Sequence, residues 1–141
     1  MKNSIKFNYP SSEKVYLGGK IYPDIRVGMR RVTLTPTVTI ENGERKEKAN
    51  SPVYIYDTSG PYSDPNIEID LRKGLPCIRQ PWIDGRKEGE TQMSLAKKGI
   101  ITQEMEYVAI RENMNCEELG VETHITPEFV RREVASGRAV I

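Results

Sequence analysis

The sequence predicts an α+β fold: a small antiparallel sheet with irregular Gly/Pro-rich segments, followed by two or three helices. Three observations carry this reading. Period-two alternation and β-branched runs fill residues 14–56. Gly and Pro then crowd residues 57–91. Finally, Thr102 and Thr126 each open a segment with helix-start residues and an apolar stripe of helical spacing.

Residues 1–10 show no periodicity and are expected to trail along a surface. Lys14 to Leu17 reads as a short strand closed by Gly18-Gly19, and Tyr22-Pro23-Asp24 is a turn signal. Ile25, Val27 and Met29 alternate, but Val32 and Leu34 alternate on the opposite parity. A one-residue shift flips the buried face, so a bulge or break near Arg30-Arg31 is expected. Thr37 to Ile40 is a β-branched strand, and Asn42-Gly43 after it is a strong hairpin signal. The polar run Glu44 to Lys48 reads as an exposed loop or hairpin tip, with the return strand re-formed at Val53 to Tyr56.

Asp57 to Pro65 reads as a loop whose Asp, Thr and Ser side chains satisfy their own backbone. Ile67 to Ile69 is a weak strand candidate. Residues 72–91 predict irregular or short helical turns that lay Trp82 over the sheet, with Gly85 to Thr91 as a linker. Thr102 caps a helix with two apolar stripes, Met105, Val108, Ala109 and Tyr107, Ile110, Met114. A face that wide predicts a helix between two layers. Thr126-Pro127-Glu128 opens the last helix, with Phe129, Val130 and Val134 facing inward, a Glu128–Arg132 pair, and Gly137 as the stop. Ala139-Val140-Ile141 reads as the opening of a buried strand.

Composition narrows the function classes. The chain has 141 residues, 21 basic and 20 acidic, for a net charge of +1. That balance excludes nucleic-acid binding by bulk charge. Residues 1–50 carry ten basic and five acidic groups, and residues 51–141 carry eleven and fifteen. Solvated surface is the simplest reading of this asymmetry. No apolar run of membrane-spanning or signal length is present, so no membrane association and a cytoplasmic location are expected.

Candidate chemistry is sparse. The two cysteines, Cys77 and Cys116, and the single histidine, His124, form no metal-ligand spacing and read as passive residues. Arg26, Arg30, Arg31 and Arg79 offer an anion site only if they converge. The glycines lack the spacing of a phosphate loop. No catalytic, cofactor-binding or metal-binding residue is assigned.

The heptapeptide Tyr56-Asp57-Thr58-Ser59-Gly60-Pro61-Tyr62 resembles the phosphomethylpyrimidine synthase (ThiC) family. So do Ser12–Tyr16, Val27–Pro36, Val53–Pro65, Leu75–Gly85, the run GIITQEMEYVAIRENM from Gly99 to Met114, and ITPEFVRREVASGRAVI from Ile125 to Ile141. The resemblance implies an associated N-terminal domain over residues 1–91 and the start of a radical S-adenosylmethionine catalytic domain over 92–141, with Ala139 to Ile141 as the stub of a barrel strand.

In the family, a 4Fe–4S cluster and S-adenosylmethionine convert 5-aminoimidazole ribotide to 4-amino-5-hydroxymethyl-2-methylpyrimidine phosphate, in a lyase step of thiamine biosynthesis. The cluster cysteines, the zinc histidines and the substrate-binding residues belong to parts of the family sequence that this chain does not match. It is therefore expected to be an N-terminal fragment, structural and inactive alone, with the rest of the ThiC chain and a second subunit of a homodimer as partners. Without a barrel, residues from about 115 onward are expected to be the least protected. A rival of another class is a self-standing, non-catalytic interaction module. The coding frame beyond Ile141 separates the two.

Overall fold

The computed structural model describes residues 11–141. The expectation for residues 1–10 lies outside them. Among the described residues, five strands and four α-helices follow one another, in an α+β arrangement. The strands are β1 (Ser12–Gly18), β2 (Arg26–Val32), β3 (Thr37–Glu41), β4 (Glu44–Lys48) and β5 (Val53–Tyr56). They form two sheets, a three-stranded one in the order β1-β2-β5 and a two-stranded ribbon of β3 and β4.

Both ladders of the larger sheet are antiparallel and unbroken. Met29 lies opposite Val15 on one side and Tyr56 on the other, and the same register reaches Val32 opposite Ser12 and Val53. The expected bulge at Arg30-Arg31 is therefore absent. Val32 simply sits on the second face of a continuous strand, because that face is covered too. One face carries Val15, Val27, Met29 and Tyr54 into a cluster with Ile25, Tyr107 and Ile110. The other face carries Lys14 and Tyr16, which hold the loop that follows β5.

The ribbon overturns a second expectation. Glu44 to Lys48 is not a loop but β4, paired residue for residue with β3. β5 is then the partner of β2, not of β3. Asn42 and Gly43 both have positive φ, 54° and 81°, as a two-residue hairpin turn requires. Ile67 to Ile69 forms no ladder.

The helices are α1 (Gln80–Asp84), α2 (Gln92–Lys97), α3 (Gln103–Asn113) and α4 (Pro127–Ala135). The second lies where a linker ends in the sequence reading. Its start is a reciprocal cap, in which the Thr91 hydroxyl accepts the Ser94 N–H and the Ser94 hydroxyl accepts the Thr91 N–H. Thr102 and Thr126 cap α3 and α4 as their positions predict.

α3 does lie between two layers. Met105 and Ala109 join Ala96, Val130 and Val134 in one cluster, while Tyr107 and Ile110 pack on the sheet. Met114 departs from its expected stripe; it is the left-handed C-cap, with φ 44°, and is exposed. In α4, Val130 and Val134 are buried, but Phe129 is 41% exposed and does not face inward. Glu128 pairs with Arg131 instead of Arg132. Arg131 is the better placed because its guanidinium also donates to the Ala96 carbonyl at 2.6 Å, tying α4 to α2. α4 thus finds its packing on α2 and α3 within this chain. Ala139 and Ile141 rest on the same cluster while Val140 is 91% exposed, and no ladder forms there.

Candidate functional site

Two places concentrate polar chemistry. The first is the loop after β5. It doubles back over the outer face of the sheet and ends in a short 3-10 turn, Gly60–Ser63. Asp57 anchors its start. Its carboxylate accepts from the Ser59 N–H at 2.9 Å, the Ser63 hydroxyl at 2.8 Å and Lys14 Nζ at 3.0 Å. Both side chains of the Lys14–Asp57 pair are about 95% buried, at 4% and 5% exposure. Lys14 also donates to the Gly60 carbonyl. At the loop's end, the Tyr16 hydroxyl donates to Asp64 at 2.5 Å, and the Arg26 guanidinium lies 4.9 Å from the centre of the Tyr16 ring.

These contacts decide what the loop can do. Burial works to raise the Asp57 carboxyl, but the bonds from Ser59, Ser63 and Lys14 outweigh it and hold the pKa at about 2. Tyr16 is pushed up to about 12, by burial first and then by its bond to Asp64. That same bond holds Asp64 below its ordinary range. A general acid or base works best with a pKa near the operating pH. Neither Asp57 nor Tyr16 is so placed, and Lys14 is spent in an ion pair. The serines therefore have no base to activate them, and the network fixes the loop's shape.

The second place is a cavity of about 170 Å³ on the other side of the sheet, walled by Tyr56, Trp82, Tyr107 and Val108, with Arg79 and Glu104 at its polar end. Trp82 and the α3 residue Tyr107 are tilted at 56° with ring centres 6.1 Å apart, and Trp82, half-buried, packs against the cluster of Ile25, Val27, Met29 and Tyr54 on the sheet. Tyr107 and Tyr56 share a hydroxyl hydrogen bond at 3.1 Å. Burial, and then this bond, raises the Tyr107 pKa. Glu104 is 3% exposed. Burial favours its neutral form, but the Arg86 contact wins and holds it low, with Arg79 also bonded at 3.2 Å. Ile78 and Ile141 complete the walls.

The sequence candidates do not come together: Arg26 lies at the first place and Arg79 at the second, and the others lie at neither. Cys77 is an exposed free thiol, Cys116 a half-buried one, and His124 is exposed. Arg26 stacks on Tyr16, Arg30 bonds Ser12, Arg31 pairs with Glu13 and Arg79 with Glu104, so the arginines form no common anion site. Among the described residues, no three His, Cys, Asp or Glu side chains group as metal ligands. None of the described helices is long and apolar enough to cross a membrane.

Sequence reasoning missed the two buried acids of α3, Glu104 and Glu106. Glu106 is 2% exposed and accepts the backbone N–H groups of Lys20, Ile21 and Tyr22 at 2.7–2.8 Å. No local signal marks such a residue, because its partners lie 84–86 positions away.

The fold and its polar centres define an α+β unit built to hold a loop and a helix face in place. The ThiC-associated domain matches residues 8–90, and the Radical SAM ThiC family matches residues 91–141. The chain belongs to the ThiC family, whose role is in making the thiamine pyrimidine and whose second matched region is that of a radical S-adenosylmethionine enzyme.

That family implies a 4Fe–4S cluster and S-adenosylmethionine. The residues here do not fit the cluster: the sequence has two cysteines, fewer than the thiolates such a cluster needs. No step of the reaction is assigned to residues of this chain.

Proposed function

We propose that the chain is the N-terminal part of a phosphomethylpyrimidine synthase. The parent enzyme converts 5-aminoimidazole ribotide to 4-amino-5-hydroxymethyl-2-methylpyrimidine phosphate, using a 4Fe–4S cluster, S-adenosylmethionine and zinc, as a homodimer in the cytoplasm. Residues 1–91 form its associated domain and residues 92–141 lead into its catalytic barrel. The role of this segment is structural, and alone it is inactive.

One observation carries the reading: two models of the same family match end to end and in order, over residues 8–90 and 91–141. The buried acids support the structural role, since Asp57 and Glu104 are spent on neighbouring cations and Glu106 on backbone N–H groups. The test is anaerobic reconstitution of residues 1–141 with iron and sulfide. The expected result is no stoichiometric iron and no cleavage of S-adenosylmethionine, with both restored when the coding frame beyond Ile141 is included. Stoichiometric iron bound by the short chain overturns the reading.

A further inference from the structure

The β3–β4 ribbon stands apart from both apolar clusters. Every residue from 37 to 48 is exposed, including Val38 at 47% and Ile40 at 76%. An isolated two-stranded ribbon is marginal in water, and among the described residues no further strand pairs with its outer edges, which offer N–H and C=O groups to a partner. We propose that the outer edge of β4 pairs antiparallel with β4 of a second copy of this chain, giving a four-stranded sheet β3-β4-β4-β3 across a two-fold axis at Lys46.

Backbone parity and charge both point to that register. The two-residue Asn42-Gly43 turn makes Glu41 and Glu44 the hydrogen-bonded pair that closes the hairpin. Pairs alternate along an antiparallel ladder, so Lys46 also bonds inward to β3, while Arg45 and Glu47 direct their N–H and C=O groups outward. A two-fold partner strand must therefore set these odd positions against each other. Centring on Lys46 puts Arg45 opposite Glu47 and Glu44 opposite Lys48, each twice, so four unlike pairs form against one Lys46–Lys46 contact. Centring on Arg45 gives two unlike pairs against an Arg–Arg contact. Centring on Glu47 sets Glu on Glu and Lys46 on Lys48. Opposite charges directly across a ladder are favourable and like charges are not. The sequence Glu44-Arg45-Lys46-Glu47-Lys48 is thus complementary to itself in one register that the backbone allows. Arg45 and Glu47 already pair within the ribbon at 2.6 Å, so the groups need only exchange partners.

The proposal is independent of the radical chemistry. The test is a cross-link read in the whole protein, because a second copy held by any other surface leaves it unaffected. Lys46 faces Lys46 as a non-hydrogen-bonded pair, about 4.5 Å between Cα atoms, which is within the reach of a disulfide. With Cys77 and Cys116 changed to Ser, Lys46→Cys is expected to give a disulfide-linked dimer under mild oxidation. Adding Glu47→Pro removes one outward N–H per copy, leaves the β3 ladder intact, and is expected to slow cross-linking about tenfold or more. Glu47→Arg is expected to slow it as well, and Arg45→Glu with Glu47→Arg to restore it. Unchanged Trp82 fluorescence confirms that each variant folds. If Lys46→Cys gives no cross-link, or if Glu47→Pro and Glu47→Arg leave its yield unchanged, the edge stays unpaired and Lys46 and Lys48 act as charges that keep other strands away.

Discussion

Glu106 Oε2 lies 2.8 Å from the backbone nitrogen of Tyr22, a residue 84 positions earlier. Its other oxygen takes the N–H groups of Lys20 and Ile21. A side chain on α3 thereby completes the turn between β1 and β2. The Tyr22 hydroxyl adds a second tie by donating to the Ile101 carbonyl at 2.7 Å. Hydrogen bonds to a charged group contribute about 1.5–3 kcal/mol each, and stranded buried donors cost extra. Glu106→Ala is expected to destabilise the fold by about 3–5 kcal/mol. Glu106→Gln keeps the oxygen facing Lys20 and Ile21 but turns an N–H toward that of Tyr22, and is expected to cost about 1–3 kcal/mol. Urea unfolding of the two variants checks the order.

Gly19 sits under the same carboxylate. A Cβ there would lie 2.4 Å from the Tyr22 carbonyl oxygen and 2.6 Å from Glu106 Oε2. The obstructing carbonyl is backbone and cannot swing aside. Gly19→Ala is expected to cost about 1–3 kcal/mol, in the manner of other overpacked sites. The same change at Gly85, where a Cβ meets nothing, is expected to be near neutral. Thermal melts of the pair give the comparison.

The hydrogen bonds that Asp57 accepts from Ser59, Ser63 and Lys14 predict an acid limb of stability. Asp57 has a folded pKa of about 2 against an ordinary 3.8. A depressed carboxyl contributes stability that is present above the unfolded value and lost as pH falls through the folded one. The contribution, about 2 kcal/mol, should therefore be complete above roughly pH 4 and disappear toward pH 2. Asp57→Asn is expected to flatten this limb in melts between those values. Lys14→Met leaves a buried carboxylate without its cation and is expected to cost about 3–5 kcal/mol at neutral pH.

Trp82 is half-buried against Tyr107, not enclosed. Full burial of a Trp makes its loss worth about 3–5 kcal/mol. Trp82→Ala is expected to fall below that range, with emission only moderately blue-shifted. Emission at the wavelength of free indole in water contradicts the packing.

α4 is expected to be protected. Val130 and Val134 are 5% and 2% exposed, so truncating either to Ala should cost about 1–3 kcal/mol. Phe129→Ala, at an exposed position, should cost less than either. Amide exchange of α4 on the time scale of α3 checks the shared packing. Exchange as fast as that of the β3–β4 ribbon would contradict it.

Local chemistry was the legible part of this fold. Asn42-Gly43, Thr102, Thr126-Pro127 and Gly137 act within a few residues of themselves, so their roles follow from neighbours in the chain. The two stripes of α3 were legible because periodicity reports how wide a face is buried. Strand pairing was not. β5 pairs with β2 because its buried Tyr54 and half-buried Tyr56 both need the face that Met29 occupies, and that is settled in three dimensions. β4 hid because a strand with neither face buried has no alternation to read. Glu104 and Glu106 hid for the opposite reason: a helical Glu reads as solvated until its distant partners are known. The loop at Asp57 was recognised as self-satisfying, but its hold on Lys14 and Tyr16 crosses more than forty residues.

Because α3 supplies Glu106 to the first turn and Tyr107 and Ile110 to the sheet, the seam between the two family matches, at residues 90 and 91, is not a seam in the folded object. A gene cut there would release a sheet with a bare apolar face and three stranded amides. Recombination that grafts the first segment onto an unrelated protein would have to carry the helix with it. The heritable module is therefore longer than the homologous one, and it ends no earlier than Asn113.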